Sequence, residues 1–596
     1  MKFCFLNGWR TAVCCLTVVI PRWVDGASLR VEIVPRYKGA ALVFDKPALT
    51  NAAAQQFSVT RLDFLLSDFA LRRVGGGWME TTNWQAWMSL GQNRAEAVVG
   101  KLEAGDYDRI RFQVGLKPAL NHSDPALYPP GHPLNPNLNG LHWGWAGGYI
   151  FLAMEGLWRD ERQQWRGYSF HLGNDPQLMS VEIPVSMKLD GDKCLSLTMD
   201  VDGLFPRKFG EENASTHSRP GDELAPSLCA AVEKAFGAGA IRSNNATLSA
   251  GQSNGSEPHK AATHPYRFTF SARFPRPDLP LDNPLTEEGV ELGRRLFFEK
   301  KLSCNDRQSC ASCHRPESAF SDAGQRLSTG AEGAAGQRNA MTLFNLAWKR
   351  SFFWDGRAES LRRQVLMPIE NDREMHQSME NTIAKLVRTA EYPALFARAF
   401  GSAEITSNRL ALALEQFVLT RISCDAKFDR ALQGGESLTE QEKRGFELFM
   451  TEYDPRRGLR GADCFHCHGG ALFQSQGFAN NGLDADFADA GRGGITGKEW
   501  DKGRFAVPSL RNVELTGPYM HDGRFKTLEE VVAHYCNGVK RSATLDPNLA
   551  KHPEGGVPLS KDDQKALVAF LKTLTEESLR EERGSGKLAE NRVTSP

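Results

Sequence analysis

The sequence predicts a multidomain fold: an N-terminal antiparallel β-sandwich followed by two similar α-helical domains. Three observations carry this. Apolar residues recur at every second position through most of the first 270 residues, the pattern of strands with one buried face. Beyond a proline-rich segment the spacing becomes helical. The helical part then repeats itself. A length of 596 residues is ample for three or four domains. Lys plus Arg and Asp plus Glu both number 72, so no net charge favours nucleic acid or an acidic membrane surface. Nothing after residue 27 approaches the roughly 18 apolar residues of a membrane span.

Residues 1–26 read as a secretory signal. Lys2 and Arg10 precede an apolar stretch from Thr11 to Ile20, and small residues follow at Gly26 and Ala27. Export puts the chain in an oxidising compartment. Cys4, Cys14 and Cys15 leave with the signal, so nine of the 12 cysteines remain. Cys194 and Cys229 are candidate partners; Cys304, Cys424 and Cys536 have none assignable.

Residues 27–273 form the β-domain. Ile110, Phe112, Val114 and Leu116 alternate, as do Val181, Ile183, Val185, Met187 and Leu189. Leu195, Leu197, Met199 and Val201 make a third strand, and Tyr266, Phe268, Phe270 and Phe274 are read as closing the set. The polar stretch 242–263 has nothing to bury and is a loop. Residues 274–283 form a proline-rich linker. Two helical domains follow at 284–435 and 436–578, with a charged tail over 579–596 that is expected to be mobile.

Thr286 opens one helix, which runs through Gly293 to Leu296-Phe297. Thr439 with Glu442 makes a capping box for its counterpart, with Gly445 and Leu448-Phe449. Each helix precedes a C-x-x-C-H: Cys310-Ala-Ser-Cys313-His314 and Cys464-Phe-His-Cys467-His468. Leu343-x-Asn345 precedes Trp354-Asp-Gly-Arg by the same nine residues that separate Leu510-x-Asn512 from His521-Asp-Gly-Arg.

C-x-x-C-H is the spacing for covalent c-type haem. Two thiols one turn apart add to the vinyl groups of one porphyrin, and the next His reaches the iron. A redox dithiol or half a zinc site explains neither His. The chain is therefore expected to bind two haems through two cytochrome c-like domains.

Residues 283 to about 575 resemble the di-haem cytochrome c peroxidases, in particular the protein-modifying MauG/MbnH branch. The resemblance implies roles residue by residue. Trp354 matches the tryptophan between the haems. Gln364, Pro368 and Glu374 match the distal pocket of the haem that binds hydrogen peroxide. Asn339, Thr516 and Pro518 match positions around an inter-haem calcium. Tyr535, fourteen residues after His521, stands where conventional peroxidases carry an axial Met. An anionic oxygen there lowers the iron potential; His534 is the rival ligand. Residues 315–353 contain no His to close the first haem at rest. On this reading Glu374 moves a proton between the peroxide oxygens, and Trp354 carries oxidising equivalents between the haems. The bland alternatives are a surface carboxylate for Glu374 and core packing for Trp354.

The β-domain holds Trp78, Trp84, Trp87, Trp143, Trp145, Trp158 and Trp165, with His122, His132, His142 and His171. The run HPLNPNLNGLHWGWAGGYIFLAMEG (132–156), with RLDFLLSDFALRR before it and SFHLG after it, resembles the MbnP-like copper-binding proteins. That resemblance implies a periplasmic copper site in which a tryptophan is oxidised to kynurenine by a di-haem partner. His142 and His171 are the expected copper ligands, since imidazole suits copper; Trp143 and Trp145 are the candidates for oxidation. Fusion gives catalyst and substrate domain a high effective concentration.

Three functions follow. The first is an exported enzyme that uses peroxide to oxidise a tryptophan of its own or a sister chain's copper-binding domain. The second is a cytochrome c peroxidase fed by a small cytochrome or cupredoxin donor. The third is a non-enzymatic copper and electron carrier.

Overall fold

Period-two burial is realised strand by strand. The computed structural model describes residues 27–143, 148–219, 221–243 and 263–585. The expected signal over 1–26, most of the polar loop and Trp145 lie outside them. The long strands are β1 (Ala27–Tyr37), β2 (Arg61–Arg73), β3 (Glu96–Leu102), β4 (Gly105–Val114) and β5 (Ile150–Arg159). They continue as β6 (Trp165–Gly173), β7 (Met179–Leu189), β8 (Lys193–Asp200), the short β9 (Ser215–Thr216) and β10 (Phe236–Ser243). In β7, Val181, Ile183, Met187 and Leu189 are buried while Ser180, Glu182 and Lys188 are exposed.

These strands make two sheets around one apolar core. The smaller runs β10-β8-β1, with β3 also on β1; the larger runs β7-β4-β2-β5-β6-β9. Pairing is mostly antiparallel, but β1 and β8 run parallel, as do β6 and β9. Cys194 on β8 and Cys229 on helix α1 (Leu224–Ala235) are not joined; both thiols are free.

The helical half is built on α2 (Glu287–Phe298), the haem-motif turn α3 (Cys310–Cys313), α4 (Ser407–Leu419), α5 (Glu440–Met450), α6 (Leu528–Asn537), α7 (Pro547–Ala550) and α8 (Lys561–Lys572). Thr286 Oγ1 accepts from Gly289 N at 3.0 Å, and Thr439 and Glu442 cap reciprocally. The duplication extends to packing. A Cβ on Gly293 would lie 1.9 Å from Ala413 O, and one on Gly445 would lie 2.0 Å from Ala566 O. Each glycine thus lets α2 close on α4, or α5 on α8, backbone to backbone. Asn345 and Asn512 both adopt left-handed φ, 60° and 61°. Each ties its loop to the chain just past those helices, through Asn345 N to Arg421 O and Asn512 N to Leu574 O.

The structure differs from the sequence expectation at three boundaries. Residues 264–274 form no strand on the sandwich. His264 and Pro265 bind the start of α2, and Phe268, Phe270 and Phe274 surround Trp348. The expected linker 274–283 is docked on the helices: Trp348 Nε1 donates to Pro275 O, and Asn283 to Glu415. Alternating aromatics here wrap a tryptophan instead of facing a sheet. Phe428 belongs to the second helical core, so that unit begins before residue 436. Finally, the tail is helical over Glu577–Ser585, anchored by buried Leu579 and an Arg580–Glu514 pair at 2.6 Å.

The two halves share an interface. Leu157 of β5 packs with Val539, Leu545 and Ala550, flanked by Trp165 and Tyr535. A Cβ on Gly167 would lie 1.9 Å from Pro547 O, so β6 and α7 meet at their backbones. No helix among the described residues is long and apolar enough to cross a membrane.

Candidate active site and metal centre

The first motif sits on α3, so Cys310 and Cys313 are one turn apart. His314 Nδ1 donates to Phe320 O at 2.9 Å, which fixes the ring and leaves Nε2 for iron. Both cysteines are half-buried, and desolvation pushes Cys310 up to about 12 and Cys313 up to about 11. The Glu374 carboxylate adds to both shifts. Its own carboxyl is raised from the ordinary glutamate value by burial, against the opposing Arg357. Asn371 Nδ2 donates to Glu374 Oε1 at 2.9 Å. Ala331 N donates to Glu374 O at 2.7 Å, and Met375 N donates to Pro368 O at 3.1 Å. Gln364 ends the helical turn before Pro368. His376, two residues beyond Glu374, is exposed and bonds Glu332 at 2.6 Å.

The second motif lines a largely apolar cavity. Cys464, Cys467 and His468 form part of its wall, with Trp354, Tyr535, Met520 and Asn481. His468 Nδ1 lies 3.1 Å from Pro508 O and 3.3 Å from Phe473 O. Burial lowers this histidine to about 4, so it is the neutral ring a metal needs. A cavity bounded by two thiols and an imidazole anchored through Nδ1 fits a covalent haem. Burial pushes the Tyr535 phenol up, while a hydrogen bond with Asn481 opposes that shift. His534 Nε2 donates to Asn481 O at 3.0 Å, and its ring is not part of the cavity wall. The geometry therefore favours Tyr535 over His534 as a ligand.

Trp354 stands at the first domain's edge of this cavity. Its Nε1 donates to Asn339 O at 2.9 Å, its carbonyl accepts from Ala506 N, and its ring centroid is 6.5 Å from that of His521. Asn339, Thr516 and Pro518 share the same wall.

A different cluster forms where the halves meet. Across β2, β5 and β6 the register places Asp63, Ala153 and His171 in one row and Arg61, Glu155 and Ser169 in the next. Side chains two apart share a sheet face. Arg61 accordingly bonds both Asp63 and Glu155, and His171 Nε2 lies 2.8 Å from Glu155 Oε1. Burial holds His171 down to about 3, with Glu155 opposing. His217, just past β9, and His466, between the two cysteines of the second motif, complete the group. One ring nitrogen from each of the three lies within 4.8 Å of the others. His217 Nε2 and His466 Nε2 are 2.7 Å apart. The Trp143 ring centroid is 6.0 Å from His171 and 5.8 Å from His217. An interdomain cavity of about 970 Å³ opens onto Trp143, His171 and His466, and Cys467 borders both cavities.

A family model described as di-haem cytochrome c peroxidase matches residues 287–437, and one described as MbnP matches residues 26–220. The methylamine utilization protein MauG of Methylophilus methylotrophus is 35% identical over 51% of this chain and 88% of its own length. The cytochrome c551 peroxidase of Nitrosomonas europaea is 33% identical over 51% of this chain and 85% of its own. The chain belongs to the di-haem cytochrome c peroxidases and carries an MbnP region at its N-terminal end. A solved MauG-like protein associated with microbial copper homeostasis is 35% identical, covering 53% of this chain and 97% of that one at a TM-score of 0.48. As a member of this family the chain is a di-haem peroxidase, an oxidoreductase that acts on hydrogen peroxide.

In this di-haem peroxidase the structure gathers Trp354 with Cys464, Cys467, His468 and Tyr535 on one cavity wall, and the Glu374 charge is felt by Cys310 and Cys313. It separates the two expected copper ligands. His171 joins the three-histidine group, whereas His142 stacks edge-on against Tyr149 at 4.7 Å outside it. The strand register puts His171 on the face shared with Arg61 and Glu155, whereas His142 lies in the preceding loop. His122 is half-exposed against Asp175, and His132 stacks on Tyr128. Sequence reasoning missed His217 and His466. His466 reads as filler inside a C-x-x-C-H, and only the fold brings it against His171 and His217.

Proposed function

We propose that this peroxidase spends its oxidising equivalents on Trp143 of its own MbnP region, producing a kynurenine-type residue beside a copper site. The observation that carries this reading is the position of Trp143. It borders the interdomain cavity whose opposite wall includes the second haem-attachment motif, and its indole Nε1 is buried without a hydrogen-bond partner among the described residues. Trp145, the other candidate, lies outside the described residues.

Two covalent haems supply peroxide reduction and electron transfer. Cys310 with Cys313 and Cys464 with Cys467 would attach them, with His314 and His468 as proximal ligands and Tyr535 as the second ligand of the second haem. Glu374, held by Asn371, accepts a proton from one peroxide oxygen and returns it to the other. Gln364 and Pro368 shape that pocket. Trp354 places an oxidisable indole on the wall of the second cavity. Opening an indole to N-formylkynurenine removes four electrons and adds two oxygen atoms, so two peroxides are reduced and the net products are the opened ring and two waters. Asn339, Thr516 and Pro518, which line the second cavity, would surround a calcium that braces the two domains. The setting is the periplasm, reached through the expected signal.

Titration of the haem-loaded protein with peroxide, without any donor, tests this. Self-oxidation consumes about two peroxides per chain and then stops, as the balance requires. If steady consumption begins only on adding a reduced small cytochrome or cupredoxin, the chain is a conventional peroxidase with a copper module attached.

A further inference from the structure

We infer that His171, His217 and His466 together form a single-copper site built across the boundary between the MbnP region and the second haem-attachment motif. This rests on the reading that the MbnP region handles copper. It adds that the site is incomplete without the haem domain.

Each histidine is arranged as a metal ligand. An imidazole that binds a metal through one nitrogen characteristically turns the other toward a carboxylate, and a different carboxylate stands close to one nitrogen of each ring here. Glu155 Oε1 faces His171 Nε2 at 2.8 Å, Glu452 Oε1 faces His217 Nδ1, and Asp463 Oδ1 faces His466 Nδ1 at 2.7 Å. The opposite nitrogens remain. His171 Nδ1 is buried with no hydrogen-bond partner among the described residues, and the side chain is 2% exposed. His217 Nε2 and His466 Nε2 meet only each other, at 2.7 Å. Around a tetrahedral ion with nitrogens at about 2.05 Å, neighbouring ligands stand about 3.3 Å apart. The pair therefore needs to open by roughly half an ångström to admit an ion.

Charge points the same way. Asp63, Glu155, Glu452 and Asp463 are buried, and the close cations are Arg61 and Lys551. Arg219, half-buried, reaches Glu452 only at 4.0 Å. Surplus buried negative charge around the three imidazoles is costly unless a cation occupies the centre. An all-imidazole donor set suits copper, with no oxygen ligand to favour magnesium or calcium.

The arrangement has a consequence for the second haem. His466 is flanked in sequence by Phe465 and Cys467, so an ion on its Nε2 is one residue from a haem-bearing thiol. Asp463 also holds Lys551 at 2.9 Å and lies 3.1 Å from His552, just past α7. Loading this site therefore couples the MbnP region to the segment that closes the second haem cavity.

The test uses full-length, haem-loaded protein, stripped with a chelator and titrated with copper. Bound copper is counted by elemental analysis, and its ligands by X-ray absorption. The wild type should bind one copper per chain with imidazole scattering from three ligands, and the second haem's Soret band should shift as copper binds. H171Q, H217Q and H466Q should each weaken binding at least 100-fold, and D463N by 10- to 100-fold. H466M, which replaces a nitrogen donor by a thioether that copper also accepts, should retain copper if the role is ligation rather than packing. Haem content by pyridine haemochrome controls for folding. If H466Q binds copper like the wild type while H171Q does not, the site lies within the MbnP region and the composite site is wrong, with the copper reading intact. If the wild type binds no copper, both fail. If H466Q loses haem, the wild-type ligand count still decides, and fewer than three imidazoles overturns the proposal.

Discussion

The ring centroids of Trp354 and His521 lie 6.5 Å apart, although the two residues occupy the same position in the two copies of the internal repeat. Each begins an Asp-Gly-Arg turn, and the turns are built alike: Phe352 bridges Ala358, as Tyr519 bridges Phe525. The duplication therefore places its two divergent side chains at one junction, and the indole stands on the wall of the second cavity. Under the proposed function, this is where an equivalent generated in the first domain would cross.

Trp354→Phe keeps a ring of similar bulk but removes the easily oxidised indole and its hydrogen bond to Asn339 O. Loss of that bond costs stability by about 1 kcal/mol. Oxidation of the second haem after peroxide addition should slow by about tenfold or more, equivalent to at least about 1.4 kcal/mol of barrier. Stopped-flow absorbance of the second haem measures this.

Glu374→Gln should slow peroxide consumption by about 10²- to 10⁴-fold, the range for a lost general acid–base, without changing haem content. The pH dependence has a definite sign. Burial raises this carboxyl above its ordinary value of 4.5, and the deprotonated form is the one that accepts the peroxide proton. Wild-type activity should therefore fall as pH drops through a midpoint above 4.5, and this limb should vanish in the glutamine variant. A steady-state pH profile measures both.

Tyr535→Phe should change the second haem's spectrum, because it removes the oxygen donor facing that cavity. Tyr535→Met should raise the second haem's potential, as Met/His ligation does in cytochromes c. Redox titration of the two variants against the wild type measures the effect. An unchanged spectrum in both variants would remove Tyr535 from the iron.

Gly167→Ala tests the interface. A Cβ there would sit 1.9 Å from Pro547 O, backbone against backbone, so β6 and α7 must separate. Overpacking of this kind costs about 1–3 kcal/mol. Thermal unfolding should show the loss, with a lower copper affinity in the same protein.

Much of this was legible in the sequence because it is local. The C-x-x-C-H motifs, the caps at Thr286 and Thr439, and the alternation along β7 depend only on near neighbours. Gly293 and Gly445 read as repeat markers and prove to be helix-crossing points. The aromatic run 266–274 misled because alternation fits a strand as well as a ring of contacts around Trp348. The three-histidine group was out of reach for a different reason. Its members lie on β6, beyond β9 and inside a haem motif, and pairwise spacings of 46 and 249 residues carry no periodic signal. His142, which sits next to Trp143 in sequence, was the expected partner of His171, and the fold places His217 beside His171 instead.

Under the proposed function the peroxidase oxidises Trp143 of its own MbnP region. Peptide mass mapping of the haem-loaded protein before and after peroxide tests this most directly. An N-formylkynurenine or kynurenine mass change is expected on the peptide containing Trp143, absent in Glu374→Gln. Continued peroxide consumption with Trp143 unmodified would contradict it.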